Sequence, residues 1–153
     1  MARTQSAGVV MYRRRGADLE VLLVHPGGPF WARRDDGAWS IPKGEIDAAE
    51  APGTAALREF TEETGHLLTG DLTPLTPVAQ SRNKLVHPFA VEGDLDAATV
   101  TSNTFMLEWP PRSGQLQSFP EIDRAAWFTL DEARRTIVTG QRAILDELRE
   151  RFA

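Results

Sequence analysis

Three glutamates in one short stretch of the sequence have the spacing of a metal site. Glu62 and Glu63 follow Glu59 after three and four residues, a spacing that places all three carboxylates on one face of an α-helix. Like charges at this spacing destabilise an isolated helix by about 0.2–0.5 kcal/mol per pair. Clustered carboxylates suit Mg²⁺ or Mn²⁺, which prefer oxygen ligands. The alternative is a solvated acidic face, since charged side chains usually coat exposed helix surfaces.

The segment that carries these glutamates has clear helix signals. Pro52 suits the first helical turn and Gly65 suits the left-handed residue just past the end, so we predict a helix over Glu50–Thr64. A modest apolar stripe at helical spacing indicates the face that packs on the rest of the protein: Ala56, Leu57, Phe60 and Thr64.

Strand signals lie on both sides of this helix. Before it, Ser6–Arg13 and Leu19–His25 are predicted to form a hairpin. After it, the predicted strands are Val78–Ser81, Leu85–Val91, Thr104–Trp109 and Ala125–Phe128, and the predicted helices are Asp131–Thr139 and Gln141–Phe152. Strands on both sides of a helix, closed by C-terminal helices, predict an α/β fold in which helices pack on a mixed sheet.

Length and composition exclude several classes of protein. The 153 residues fit one domain, 1–153, and the 41% hydrophobic and 25% charged residues are close to the globular average. No apolar run approaches the roughly 18 residues of a membrane span, and no secretory signal precedes the first strand, so we expect a cytoplasmic protein without a membrane partner. The absence of cysteine excludes disulfides and a Cys nucleophile. A net charge of −5 argues against duplex nucleic acid as a partner.

The surroundings of the three glutamates resemble a known protein family. Gly44, Glu50 and the run Arg58-Glu59-Phe60-Thr61-Glu62-Glu63-Thr64-Gly65 match the 23-residue box of the Nudix hydrolases at every fixed Gly, Glu and Arg. One position departs from the box, since His66 stands where an aliphatic residue is usual. The resemblance extends loosely over most of the chain and implies a Nudix-like α/β/α sandwich with a mixed β-sheet.

The resemblance also implies a role for each residue of the box. Glu59 and Glu63 would be metal ligands, and Glu62 would be a ligand or a base acting on metal-bound water. At Gly44, the missing β-carbon would let the backbone carbonyl approach a metal.

Arg58 and Glu50 are predicted to support these ligands rather than to take part in the chemistry. Glu62 lies four residues after Arg58, in salt-bridge range, and Glu50 at the helix start is another partner for the guanidinium. In the family this pair orients the loop and the metal ligands.

Lys43 precedes the box glycine. The run Trp39-Ser40-Ile41-Pro42-Lys43-Gly44 resembles the diadenosine polyphosphate hydrolase branch of the family, and its Pro-Lys-Gly also resembles diphosphoinositol phosphate hydrolases. An ammonium beside the metals could neutralise charge on the leaving phosphate. A surface lysine before a turn is the alternative, but Lys43 is one of only two lysines in the chain, with Lys84.

Glu121 is the leading candidate for a fourth carboxylate. It lies six residues before Trp127, which resembles the downstream Glu of the same branch, and it would be a metal ligand or general base. An ordinary loop acid is the alternative, and Asp123 competes for the role.

Two aromatic residues and two histidines carry less specific signals. Phe30 and Trp31 lie in a Gly/Pro-rich loop, where they could bind a nucleobase, form a lid or pack on the domain. His25 and His87 each precede a proline, and we predict that they are hydrogen-bonding residues at loop edges, since no second His lies at metal-ligand spacing.

The predicted activity is Mg²⁺-dependent hydrolysis of a pyrophosphate bond in a nucleoside diphosphate linked to another moiety. The runs at Trp39–Gly44 and Glu121–Trp127 favour a dinucleoside polyphosphate such as diadenosine tetraphosphate, and nucleoside triphosphates stay open. The alternatives are ADP-ribose, a diphosphoinositol phosphate, or a nucleotide-sensing module without turnover. Such a module normally loses a box glutamate, and none is missing here.

Overall fold

The computed structural model of the protein describes residues 3–153, which contain nine strands and three α-helices. The strands are β1 Thr4–Arg15, β2 Asp18–Pro26, β3 Lys43–Glu45, β4 Thr73–Pro74, β5 Val78–Ser81, β6 Lys84–Glu92, β7 Thr104–Glu108, β8 Leu116–Pro120 and β9 Ile122–Thr129. The helices are α1 Pro52–Thr64, α2 Leu130–Thr136 and α3 Arg142–Phe152. Within residues 3–153, no helix is both long enough and apolar enough to cross a membrane.

Seven of the strands form one mixed sheet. Its order is β4-β6-β1-β2-β9, with β3 paired to β1 and β5 paired to β6. β1 runs parallel to β6, whereas the other pairs in this sheet are antiparallel. β7 and β8 form a separate antiparallel ribbon. The predicted mixed sheet is therefore confirmed.

The sheet is covered by helices on both faces. Alternate residues of β1 point to opposite sides, so Val9 and Met11 pack in one cluster with Phe60 of α1. Val10 packs in a second cluster with Leu145 of α3. This arrangement confirms the predicted α/β/α sandwich.

The predicted helix over Glu50–Thr64 is α1, but it begins two residues later. Ala51 has extended dihedral angles, φ −71° and ψ 145°, because a residue before proline avoids the helical region. Gly65 ends the helix in the left-handed conformation, with φ 75°, as predicted. The prediction for Leu57 is wrong, since its side chain is 38% exposed and the buried residues of the helix are Ala55, Ala56, Phe60 and Thr64.

The predicted helix over Asp131–Thr139 ends early, at Thr136. The next residue, Ile137, is extended and pairs with Trp39, whose N–H donates to the Thr136 carbonyl. Strand β8 was not predicted, because its residues are mostly exposed and include Gln, Ser and Pro.

Candidate active site

The site is built where α1 lies against β3. Strand β3 pairs with β1 over three residues, and the backbone N–H of Lys43 donates to Glu63 Oε1 at 3.1 Å. At the next residue, a β-carbon on Gly44 would collide with the carboxylate of Glu59. The glycine therefore makes room for a glutamate side chain, whereas the sequence suggested that it admits a metal to the carbonyl.

Arg58 connects the carboxylates of the box. Its Nε and Nη2 donate to the two oxygens of Glu50, both at 2.9 Å. Its Nη1 donates to Glu59 Oε1 at 2.8 Å and reaches Glu62 Oε1 at 3.3 Å, and Nη2 also donates to the Glu45 carbonyl. These bonds lower the pKa of Glu50 to about 2 and raise the pKa of Arg58. This geometry supports the predicted positioning role of Arg58 and Glu50.

Among the glutamates of the box, Glu63 has the surroundings that most disfavour an ionised carboxylate. Its pKa is raised to about 8, mainly by burial and further by the charges of Glu59 and Glu121, against the opposing effects of the Lys43 N–H and ammonium. Burial likewise raises the pKa of Glu59, against the bond from Arg58. The charge of Glu121, in the loop before β9, contributes to the rise of both pKa values.

Glu59, Glu62, Glu63 and Glu121, here called the acidic cluster, carry the type of oxygen ligand that a hard divalent cation prefers. Within residues 3–153, no three Asp, Glu or His side chains converge closely enough to hold an ion as they stand. Arg58 draws Glu59 and Glu62 to itself, and the Lys43 N–H binds Glu63. A nearby cation would offset the cost of ionising the buried Glu63, and carboxylates are the ligands that Mg²⁺ prefers.

A pocket of about 290 Å³ lies beside this cluster. Its lining includes Glu63 and Glu121 together with Lys43, Lys84 and Trp31. The structure thus brings together residues from five separate parts of the chain: the loop after β2, β3, α1, the start of β6 and the segment before β9.

The only two lysines of the chain face the same pocket. Burial lowers the pKa of Lys43, and the charge of Lys84 lowers it further, while Glu63 and Glu59 oppose the change. Every salt bridge within the part of the chain that the structure describes uses an arginine or a histidine, so neither lysine has a carboxylate partner there. No role was predicted for Lys84 from the sequence, although the scarcity of lysine was a signal that could have indicated one.

The two loop aromatics have different environments. Trp31 lines the pocket and is 39% exposed. Phe30 is 63% exposed and packs edge-on against Trp109, with 5.4 Å between ring centroids. Only Trp31 is therefore placed to contact a molecule in the pocket.

His25 lies at the end of β2, one residue before the strand ends at Pro26, as predicted for a loop edge. Its ring is fully buried and bonds Asp123 and the Arg34 carbonyl, which confirms the predicted hydrogen bonding. Asp123 is committed to this contact, which favours Glu121 as the fourth carboxylate.

His87 bonds Gln5 but lies inside β6, so its predicted position at a loop edge is wrong. The unusual box residue His66 bonds Thr99 at 2.8 Å.

The NUDIX domain family matches residues 2–148 of the sequence. The chain belongs to the Nudix family. The Nudix chain is 28% identical over 143 residues to an 8-oxo-(d)GTP phosphatase of Mycolicibacterium smegmatis, and the match covers 84% of this chain and 36% of that protein. It is 29% identical over 137 residues to an RNA pyrophosphohydrolase of Cellvibrio japonicus, and the match covers 84% of this chain and 66% of that protein. The matches thus span less than two thirds of either relative.

Solved structures share the Nudix fold at lower sequence identity. An Ap4A hydrolase of C. elegans, in a binary complex, superimposes with a TM-score of 0.64 at 21% identity over 96% of both chains. The NUDIX domain of Shewanella oneidensis NrtR, in complex with ADP ribose, gives a TM-score of 0.67 at 18% identity, covering 100% of this chain and 90% of that one.

Proposed function

We propose that this Nudix protein hydrolyses a pyrophosphate bond in a nucleoside diphosphate linked to another moiety, with Mg²⁺ or Mn²⁺ as cofactor. The observation that carries the proposal is the pocket in which Glu63 and Glu121 face both lysines of the chain. The carboxylates suit a divalent cation. The two ammonium groups have no carboxylate partner and suit the negatively charged oxygens of a diphosphate. Together they are complementary to a diphosphate that carries a bound metal ion.

Glu59, Glu62, Glu63 and Glu121 would hold the cation. A divalent cation at these carboxylates supplies charge that draws electron density from the diphosphate and activates the attacking water. Arg58 fixes the rotamers of Glu59 and Glu62 through its bonds to both, and Gly44 leaves Glu59 the space that it needs.

Glu121 is the group that we assign to accept the proton of the attacking water. Its residue is exposed at the pocket, and unlike Glu59 and Glu62 it is not bound by Arg58. A carboxylate that is not bound by this guanidinium keeps its lone pairs available for the cation and for a proton of the attacking water. Glu63 is the second candidate, since its carboxylate lines the same pocket.

Lys43 and Lys84 would bind the phosphate oxygens. Burial lowers the pKa of Lys43, and repulsion between the two ammonium groups in one pocket lowers it further. The negative oxygens of a polyphosphate would offset both the repulsion between the ammonium groups and the cost of burying a charge. The ammonium groups would stabilise the leaving phosphate further as negative charge develops on it. Trp31 offers an aromatic face for a base at the same pocket.

A dinucleoside polyphosphate such as diadenosine tetraphosphate is the substrate class that we favour. A polyphosphate chain has enough oxygens to engage the cation and both lysines at once, and the fold is shared with an Ap4A hydrolase. Nucleoside triphosphates are the second candidate class, which the name of the Mycolicibacterium relative supports.

The test is a turnover panel with the full chain. Diadenosine tetraphosphate, dGTP, 8-oxo-dGTP, ADP-ribose, a diphosphoinositol phosphate and triphosphorylated RNA are each incubated with Mg²⁺ or with EDTA, and the products are identified. We expect Mg²⁺-dependent cleavage, fastest for the dinucleoside. In ¹⁸O-water, the labelled product identifies the phosphorus that is attacked. Tight binding without turnover of any compound would instead show a nucleotide-sensing module.

A further inference from the structure

Gln141, which lies just before α3, has a fully buried side chain that links two distant segments. Its Oε1 accepts from the backbone N–H of Ile41 at 3.1 Å. Its Nε2 donates to Ser40 Oγ at 3.0 Å and to Gln80 Oε1 at 2.9 Å. The amide therefore joins the segment before β3 to strand β5, and both of its N–H groups are used.

These bonds fix the orientation of two amides. The Ile41 N–H can only donate, so the atom of Gln141 that it meets must be the oxygen. The other end of Gln141 is then an NH₂ group, which can only donate, so Gln80 must offer it an oxygen. The side chain of Gln80 is therefore held with its own NH₂ group turned away from Gln141.

The NH₂ group of Gln80 is free to bind a ligand. Gln80 is half-buried and lines the pocket beside the acidic cluster. Within residues 3–153, its Nε2 has no hydrogen-bond partner, whereas no buried polar side-chain atom lacks one, so this Nε2 is accessible. Gly140 fixes the backbone at the same place, because a β-carbon there would collide with the Gln80 carbonyl.

The other polar groups of the pocket lining already have a partner or a proposed role. The carboxylates suit the cation, and the lysines suit phosphate. The Ser40 hydroxyl donates to the Ile41 carbonyl at 2.7 Å and accepts from Gln141. Among the amide and hydroxyl groups of the lining in the described part of the chain, Gln80 alone thus has an unused donor. The rest of the lining is apolar, which suits a nucleobase better than a phosphate: Val24, Pro26, Trp31, Ala38, Ile122 and Val138.

We propose that Gln80 is a specificity-determining residue that contacts the nucleoside part of the substrate. Its NH₂ group donates to an acceptor there, such as a ring nitrogen or a carbonyl oxygen of the base. Gln141 is the positioning residue that turns this NH₂ group toward the ligand. The inference rests on the proposed function, because it takes the pocket to be the nucleotide site.

The first test measures binding of ADP and of inorganic diphosphate, each with Mg²⁺, by calorimetry. ADP lacks the linked moiety of the proposed substrate, and diphosphate lacks the nucleoside. Gln80→Met keeps the length of the side chain and removes the donor, so we expect ADP to bind about fivefold more weakly, as for loss of one neutral hydrogen bond. Diphosphate binding should change less than about twofold. Gln115→Met, which replaces an exposed glutamine between β7 and β8, should change neither.

Two results of this comparison would contradict the role of Gln80. Unchanged ADP binding by Gln80→Met would show that the amide does not contact the ligand. Equal weakening of ADP and diphosphate would show that it does not act on the nucleoside. Both results leave the proposed function intact, whereas a wild-type protein that binds neither ligand would overturn the proposed function and this inference together.

A second test concerns Gln141. Gln141→Met removes the bond that orients Gln80 and also releases Ile41, two residues before Lys43, so both ligands should bind more weakly. If Gln141 acts through Gln80, the extra loss for ADP relative to diphosphate should be the same in Gln141→Met, in Gln80→Met and in the double variant. An extra loss in the double variant equal to the product of the two single losses would overturn the positioning role.

Amide hydrogen exchange in the wild-type protein tests the orientation without any substitution, and so decides it even if Gln141→Met does not fold. Both N–H groups of Gln141 lie in buried hydrogen bonds, so its side-chain ¹⁵N–¹H signals should exchange slowly with solvent. The side-chain signals of Gln80 should exchange fast in the free protein and slow down when ADP and Mg²⁺ are added. A Gln80 NH₂ group that is already protected in the free protein would overturn the inference.

Discussion

The carboxylate of Glu59 lies in the space that a β-carbon on Gly44 would fill. Gly44 belongs to β3, and Glu59 belongs to α1. The close approach of helix and strand at this point depends on the glycine. It also keeps the Glu59 carboxylate within 2.8 Å of Arg58 Nη1.

Substitution of Gly44 tests this relationship. Gly44→Ala should displace Glu59 and reduce Mg²⁺-dependent turnover about 100-fold, the size of effect that a small misplacement of a catalytic group can have. The matched control is Gly53→Ala in α1, where the new β-carbon would meet only the Phe89 ring at 3.8 Å. Full turnover by Gly44→Ala would show that the position of Glu59 does not matter.

Glu63→Gln should remove nearly all turnover and keep the fold. The amide has almost the same shape but no charge, so it is a poor ligand for Mg²⁺. Turnover and the circular dichroism melt are compared with those of Glu45→Gln, an exposed glutamate on β3. An unfolded Glu63→Gln protein would indicate a structural residue, and an active one would exclude Glu63 from the site.

The raised pKa of Glu63 predicts how stability depends on pH. The folded protein keeps this proton up to pH about 8, whereas the unfolded chain loses it near 4.5. The native state then binds more protons in that window, so the free energy of unfolding falls as the pH rises from about 5 to about 8.

Urea unfolding in EDTA at several pH values measures this slope. We expect Glu63→Gln to have a shallower slope than the wild type. Mg²⁺ should stabilise the wild type more at pH 8 than at pH 6, because it binds the ionised carboxylate. Equal slopes for the two proteins would contradict the assignment.

Arg58 cannot be replaced by lysine without loss. An ammonium does not reproduce the two-pronged bond to Glu50 together with the bonds to Glu59 and Glu62. Arg58→Lys should raise the Mg²⁺ concentration for half-maximal turnover by about 10- to 100-fold, as expected when a residue that orients metal ligands is lost. Arg14→Lys is the control, since that guanidinium is exposed and lies 3.7 Å from Glu92. An unchanged Mg²⁺ requirement would show that Arg58 stabilises the fold but does not orient the metal ligands.

Both lysines should contribute to KM. Lys43→Met and Lys84→Met each remove one positive charge from the pocket, and we expect KM to rise roughly tenfold in each, about the value of one charge-assisted hydrogen bond. Arg82→Met removes an exposed charge two residues before Lys84 and should leave KM nearly unchanged. If Lys84→Met behaves like Arg82→Met, Lys84 does not contact substrate.

The parts of the structure that the sequence predicted are those fixed by local spacing. Helix α1, its Gly65 end and the ion pairs of Arg58 follow from residues within one box. The first hairpin, now β1 and β2, follows from alternation of apolar and polar residues. The packing of helices on the sheet could be predicted because strands flank α1 and helices close the chain.

The parts that the sequence did not predict depend on contacts between distant segments. Lys84 reaches the pocket because β6 pairs with β1, which no local pattern encodes. The same holds for His25, whose hydrogen-bond partners lie 9 and 98 residues away. Phe30 and Trp31 are neighbours in sequence, yet only the folded loop shows that Trp31 alone lines the pocket.

The most direct test of the central claim is a crystal of the full chain soaked in MnCl₂, with anomalous diffraction to locate the ions. We expect a manganese peak coordinated by carboxylate oxygens of Glu59 and Glu63, and no such peak in crystals of Glu63→Gln. Manganese bound elsewhere, with these carboxylates still bonded only to Arg58 and the Lys43 N–H, would contradict it.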